Sequence, residues 1–294
     1  QPTEFATMNG LTMGIAGLGG MIAATPLAVA ATTIGWRTTY AGMAVFGILA
    51  ALAAYVMAHD HPTDAGLDPV ENVPSTPELT FREVMANTRR VLGGLDTWLA
   101  GLVLFCFTGI NITVVGLWVI PYVVQTYDVS VTTASTLQLL PAAGILFGPP
   151  VIGRISDYLE QRTSIMVGGA VVFTALFSVL AAPYRQPFIV VGLVLFGASF
   201  LAGTSALAYT VVKDNHGAAA SGVATGTVNA ISFAGAAVFP VLMGAVLDRF
   251  WTGQTVAGAR VYTATGYRYM FGLAVLAGLF ALGCSLLLHW RSPS

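Results

Sequence analysis

Eight uninterrupted apolar runs divide the chain, at about residues 9–31, 38–58, 97–124, 131–152, 163–182, 187–212, 217–247 and 269–288. Every Lys, Arg, Asp, Glu and His falls between these runs. Each run is long enough to cross a hydrocarbon core of roughly 30 Å as a helix. Lipid leaves an open segment no other way to satisfy its backbone polar groups. The pattern predicts an all-α polytopic membrane protein with eight transmembrane helices.

One connection is long. Residues 59–96 carry Pro62, Pro69, Pro74 and Pro77 with seven acidic residues, and then the stretch Thr80–Leu92. In that stretch Phe81, Val84, Met85 and Val91 alternate with Arg82, Glu83, Arg89 and Arg90. This predicts a flexible linker followed by a short amphipathic helix lying along the membrane surface. Two spans precede the linker and six follow it. The domains are thus 1–58, two helices; 59–96, the linker; and 97–294, a complete six-helix unit.

The last two spans echo the first two. Asn9-Gly10 and Gly14 open a run containing Pro26, followed by Trp36-Arg37-Thr38-Thr39-Tyr40 and a second run. Ser221-Gly222 and Gly226 open a run containing Pro240, followed by Tyr267-Arg268-Tyr269-Met270-Phe271 and the final run. The paired glycines share one offset, and only the connecting loop differs much in length. Repeats of membrane helices at long period point to secondary transport. If the first unit also had six helices, four precede Gln1, and the chain is a piece of a longer protein.

Composition agrees. Of 294 residues, 56% are hydrophobic and 9% charged, with a mean hydropathy of +0.78. Soluble domains carry about a quarter charged residues, so the partner of this surface is the lipid bilayer. A net charge of −1 argues against nucleic acid. Cys106 and Cys284 lie inside apolar runs and read as small buried hydrophobes. An even number of spans puts both termini on one side. That side collects Arg82, Arg89, Arg90, Arg154, Arg162, Lys213 and Arg291, against Arg37, Arg185, Arg249, Arg260 and Arg268 on the other. The bias places the termini in the cytoplasm.

The stretch between the fourth and fifth spans reads Gly153-Arg154-Ile155-Ser156-Asp157-Tyr158-Leu159-Glu160-Gln161-Arg162. It resembles the signature loop of the major facilitator superfamily, G-x-L-[AS]-D-[RK]-x-G-[RK]-[RK]. Gly153, Ser156, Asp157 and Arg162 match that pattern, Ile155 is a mild substitute, and Tyr158, Glu160 and Gln161 depart from it. The first span with Gly35-Trp36-Arg37 looks like the family's fifth helix and its exit. Gly116-Leu117-Trp118 with Pro121-Tyr122, then Tyr127 and Ser130, is similar to the seventh, and Gln138, Leu140-Pro141, Gly144 and Gly148-Pro149-Pro150 suit the eighth. The resemblance implies helices five to twelve of a bacterial-type facilitator in a bacterial inner membrane. It also implies a gating role for Gly153, Asp157 and Arg162. In the family this loop faces the start of the fifth helix, here around Thr7–Gly10, whose positive end a carboxylate can cap.

A solute site needs polar groups near the bilayer midplane. The deepest are Thr108, Asn111 and Thr113 in the third span, Gln138 in the fourth, Ser199, Thr204 and Ser205 in the sixth, and Asn229 and Ser232 in the seventh. Trp118, Tyr122 and Tyr209 can supply aromatic walls. The candidate substrate-binding set is Thr108, Asn111, Trp118, Gln138, Thr204, Tyr209 and Asn229. Helix-to-helix hydrogen bonding is an equal claim on the same side chains. Gly10/Gly14 and Gly222/Gly226 are small-xxx-small pairs that let helices approach closely. Pro26, Pro121, Pro141, Pro149, Pro150 and Pro240 would kink their helices. No ionisable group lies within a span, so any coupling residue sits before Gln1, or this part meets an uncharged portion of the solute.

His59-Asp60-His61 with Asp64 has metal-ligand residue types, but a proline-rich linker offers no fixed geometry. Neither a metal nor a cofactor is expected. An intramembrane enzyme would need a nucleophile with a base in the bilayer, and all four histidines lie outside the spans. The expected function is alternating-access transport of a small-molecule substrate. A facilitator-like receptor or assembly scaffold is the alternative, and residues 1–294 alone are not expected to transport without the helices before them.

Overall fold

A computed structural model describes residues 30–57, 80–159, 161–216, 220–256 and 258–291. The first predicted span, the His59–Asp64 cluster, Pro26 and Thr7–Gly10 lie outside the described residues. The chain divides into two compact units, Gln1–Ser75 and Thr76–Ser294.

In the first unit a π-helical turn, Ala31–Gly35, leads into helix α1, Trp36–Met57. Gly35 turns there with φ +85°, a conformation open to a residue without Cβ. Arg37 lies over the Trp36 ring at 4.4 Å, and Tyr40 meets its edge. This is the amphipathic pairing that suits a membrane–water boundary.

The second unit opens with α2, Phe81–Gly93, and continues through α3, Leu95–Thr113, a π turn at Val114–Trp118, and α4, Val119–Tyr127. Then come α5, Val131–Thr136; α6, Leu139–Leu159; α7, Arg162–Ala181; and α8, Phe188–Phe200. A 3-10 turn, Leu201–Gly203, joins α8 to α9, Thr204–His216. The chain closes with α10, Ser221–Asp248, an antiparallel hairpin of β1, Trp251–Val256, and β2, Ala259–Tyr262, and α11, Ala264–Arg291.

Six of these helical runs are long and apolar enough to cross a membrane: Thr33–Met57, Leu95–Tyr127, Val131–Leu159, Arg162–Ala181, Ser221–Asp248 and Ala264–Arg291. The expectation of eight is thus met at six. Its first span lies outside the described residues, and its sixth is broken in the middle. The break falls at a close helix crossing. A Cβ on Gly203 would stand 2.7 Å from Gly148 C and Pro149 N, and one on Gly148 would overlap the Phe200 carbonyl. Here α6 and the α8–α9 junction cross backbone to backbone, as small residues allow in membranes. The Thr204 hydroxyl donates to the Leu201 carbonyl and satisfies an acceptor freed by the break.

The core lies where α3, α7 and α11 pack together. Phe107 stacks on Phe173 at 4.5 Å, Phe173 meets Phe177, and Phe177 meets Phe271. Cys106 and Cys284 are free and buried in the same core. Outward the unit presents Ile145, Leu146, Phe147, Val171, Val172, Leu276 and Phe280, all exposed. A surface this apolar suits lipid, not water.

Charges collect at the two ends. At one end Arg291 Nε donates to Asp96 at 2.7 Å, Arg162 pairs with Asp214, Thr97 meets His216, and Thr163 meets His289. At the other, Arg260 donates to Asp248 at 2.7 Å. Gln125 there receives the Tyr262 N–H and the Tyr267 hydroxyl, and donates to the Arg260 carbonyl. That single amide fastens the hairpin to α4 and α11.

Candidate solute site

Four helices bring polar side chains together. Ser232 of α10 donates to Thr108 of α3 at 2.9 Å. Tyr209 of α9 donates to the Asn229 carbonyl oxygen of α10 at 2.8 Å. One turn further along α3, Asn111 donates to Ser199 of α8 at 2.8 Å. The α3–α10 approach is set by glycine: a Cβ on Gly109 would stand 2.7 Å from the Gly235 backbone. With the backbones this close, short hydroxyls such as Thr108 and Ser232 can reach one another.

The two pairs differ in exposure. Asn111 and Ser199 are buried, so their bond is a helix-to-helix tie. Asn229 is exposed on α10 and Tyr209 is half-buried. Asn229 accepts from Tyr209 through its oxygen, and its NH2 has no acceptor among the described residues. Gly222, Gly226 and Phe233 are exposed on the same helix, and a Cβ on either glycine would meet nothing within 4 Å among the described residues. The close crossings of this unit therefore use Gly109, Gly235, Gly148 and Gly203, not the Gly222/Gly226 pair.

The other expected site residues take different parts. Gln138 donates to the Val115 carbonyl at 3.2 Å, inside the π turn. Pro121 lacks an N–H and removes a donor from the helical ladder three residues beyond that turn. Gln138 thus supplies a hydrogen bond to backbone that has left the α pattern. Trp118 ends the π turn, its ring against the edge of Tyr262 at 6.0 Å. Its indole N–H is buried and has no acceptor among the described residues. Tyr122 packs on Tyr267 and Phe271 at 5.2 and 5.0 Å, so it is core and not a cavity wall. Thr113 donates to its own helix at Gly109, and Thr204 caps the 3-10 turn. The Ser205 side chain lies outside the described residues.

Gln125 escaped the sequence reading. It stands at the end of a span with no pattern tying it to residues 260–267, and only the folded hairpin reveals its role.

The family model for the Major Facilitator Superfamily matches residues 1–240 and, in a second overlapping match, residues 102–294. The chain belongs to the Major Facilitator Superfamily. No curated protein matches it. The chain is thus a membrane transporter of the facilitator type, from a family of transporters and not of enzymes.

The facilitator signature stretch, read from sequence as a loop, is helical as far as Leu159. Gly153 and Asp157 sit on the last two turns of α6, and Arg162 begins α7. Ser156 is turned inward and buried, whereas Asp157 and Tyr158 are exposed. Arg162 is held by Asp214 of α9. Asp157 has no partner among the described residues. The structure therefore separates the members of the motif: Arg162 ties two helices of its own unit, and Asp157 is left open.

Proposed function

We propose that this facilitator moves a small, uncharged, hydrogen-bonding solute by alternating access, with Asn229, Tyr209, Thr108 and Ser232 on its pathway. The convergence of these groups from three helices, with Asn229 exposed, carries the reading. None of these four residues is Asp, Glu, Lys, Arg or His, and the nearest cation along the chain, Lys213, stands one turn beyond Tyr209 towards the end of α9. A full charge on the solute would find no counter-charge there, whereas hydroxyls and an amide suit neutral donors and acceptors.

The same proposal assigns residues 1–58 to the last two helices of one bundle, 59–96 to a cytoplasmic linker and 97–294 to a six-helix bundle, eight spans in a bacterial inner membrane. The two overlapping family matches support an internal repeat. Both termini are cytoplasmic in this reading, and α11 ends on the side of its unit where Arg291 pairs with Asp96 of α3 and Arg162 of α7 with Asp214 of α9.

The test is uptake of a panel of neutral solutes by proteoliposomes containing the complete protein. Asn229→Ala is expected to weaken apparent affinity roughly three- to ten-fold, the worth of one or two lost hydrogen bonds, with the maximal rate little changed. An unchanged affinity would remove Asn229 from the pathway. One observation favours the second reading, a receptor or scaffold: the polar side chains satisfy one another. Saturable solute binding without uptake would select it.

A further inference from the structure

We infer that α2 is a binding surface for anionic phospholipid, with Arg82 and Arg89 holding headgroup phosphates while Phe81, Met85 and Leu92 enter the acyl region. At 100° per residue these groups form two adjacent stripes. Phe81, Met85 and Leu92 make one, and Arg82 and Arg89, seven residues apart, make the next. All five are exposed, Phe81 to 79% and Met85 to 53%.

The rotation of the helix is fixed. Asn87 and Val91 are buried on the opposite side, where α2 packs against α10. The apolar stripe therefore cannot turn inward to hide. Its depth is fixed as well. Gly94 alone separates α2 from the membrane span that starts at Leu95. The Trp98 indole donates to the Leu92 carbonyl at 2.8 Å and pins the end of α2 to the first turn of that span. Trp98 is itself exposed, at the level where aromatic rings settle between headgroups and chains.

The charges complete the match. Among the described residues Arg82, Arg89 and Arg90 have no carboxylate partner. The single acid on the helix, Glu83, is turned back on Thr80, accepting its N–H at 2.8 Å and its hydroxyl at 2.7 Å. A guanidinium offers a phosphate a planar fork of donors, and its stem can lie along the apolar stripe. Each cation near an anionic membrane surface is worth about five-fold in partitioning.

The experiment reconstitutes the complete protein with Trp98 as its only tryptophan (Trp36, Trp118, Trp251 and Trp290 changed to Phe). The vesicles are phosphatidylcholine with roughly a third phosphatidylglycerol, the acyl chains of one or the other brominated. Brominated phosphatidylglycerol is expected to quench Trp98 with an apparent affinity two- to five-fold above brominated phosphatidylcholine. The preference should fall to unity in R82Q/R89Q and persist in R82K/R89K. Equal quenching in the parent, or a preference that survives R82Q/R89Q, would overturn the proposal. So would an absence of quenching by either lipid, which would mean that protein covers the stripe. A second measurement needs no tryptophan changes: native mass spectrometry of the protein in lipid extract. At least two-fold more anionic lipid on the unaltered chain than on R82Q/R89Q supports the proposal, and equal retention sinks it.

Discussion

A methyl group added at Gly235 has nowhere to go, because it would overlap the Phe105 carbonyl oxygen on the neighbouring helix. Gly235→Ala should therefore push α3 and α10 apart and cost about 1–3 kcal/mol, read as a lower melting temperature in detergent. Gly222→Ala is the matched control. Its Cβ meets nothing within 4 Å, and its melting temperature should be unchanged or slightly higher. Sequence marks Gly222, with Gly226, for close approach, and nothing in the apolar run singles out Gly235. What separates them is the opposing backbone, which no local pattern records. Gln138 teaches the same lesson. Its depth in the membrane was legible, but its use was not, because its acceptor is a carbonyl freed by a π turn in another helix. Gln138→Ala should destabilise by about 1–3 kcal/mol, the penalty for a buried acceptor left unmade. It should leave solute affinity in the surviving transporters unchanged, which distinguishes it from Asn229→Ala.

At the scale of elements, the boundaries set by charge were legible and the irregularities inside apolar runs were not. Hydrophobicity marked α7, α10 and α11 to within a few residues, because a charge ends each run. It carried no trace of the 3-10 turn at Leu201–Gly203, where every residue is apolar or small and the backbone it crosses belongs to α6. Amphipathic α2 was legible because its two faces differ, and its start is fixed by local chemistry. Hydrogen bonds from Thr80, the side chain's foremost and the backbone's next, hold the Glu83 carboxyl below the usual carboxylate range. A depressed value in the folded state means that the carboxylate's contribution is present above the ordinary Glu range, near 4.3. It is lost as pH falls through the lower folded value. The first turn of α2 should thus stay closed at pH 5 and fray in stronger acid. The protection of the Val84 amide, bonded to the Thr80 carbonyl, reports this by hydrogen exchange, and Glu83→Gln should flatten the acid dependence. At the opposite end, Gln125→Ala removes two hydrogen bonds to the hairpin and one to Tyr267 of α11. Protease should then cut between Gly253 and Gly258 faster than in the parent, with the helices left intact.

For the molecule as a whole, Asp157 offers the sharpest test of alternating access, because its local and global effects should have opposite signs. It stands on the last turn of α6, where the helix presents its negative end, and it makes no ion pair or hydrogen bond among the described residues, Arg154 lying one turn back on the same helix. A carboxylate at that place is mildly unfavourable. Within the second unit, then, Asp157→Asn should be neutral or stabilising, raising the melting temperature by roughly a degree at most. If Asp157 acts as a latch, the gating role that the family resemblance implies, the same carboxylate gains a partner in only one transport state, so that state alone depends on its charge. Asp157→Asn should therefore shift the balance between inward- and outward-open forms and slow net uptake several-fold, while the protein becomes no less stable. Site-directed spin labels across the two ends, compared with uptake in the same vesicles, read both effects at once. Lower stability together with lower uptake would mean an ordinary folding role. Unchanged uptake with unchanged state populations would leave Asp157 a solvated helix-end charge and remove the latch from the mechanism.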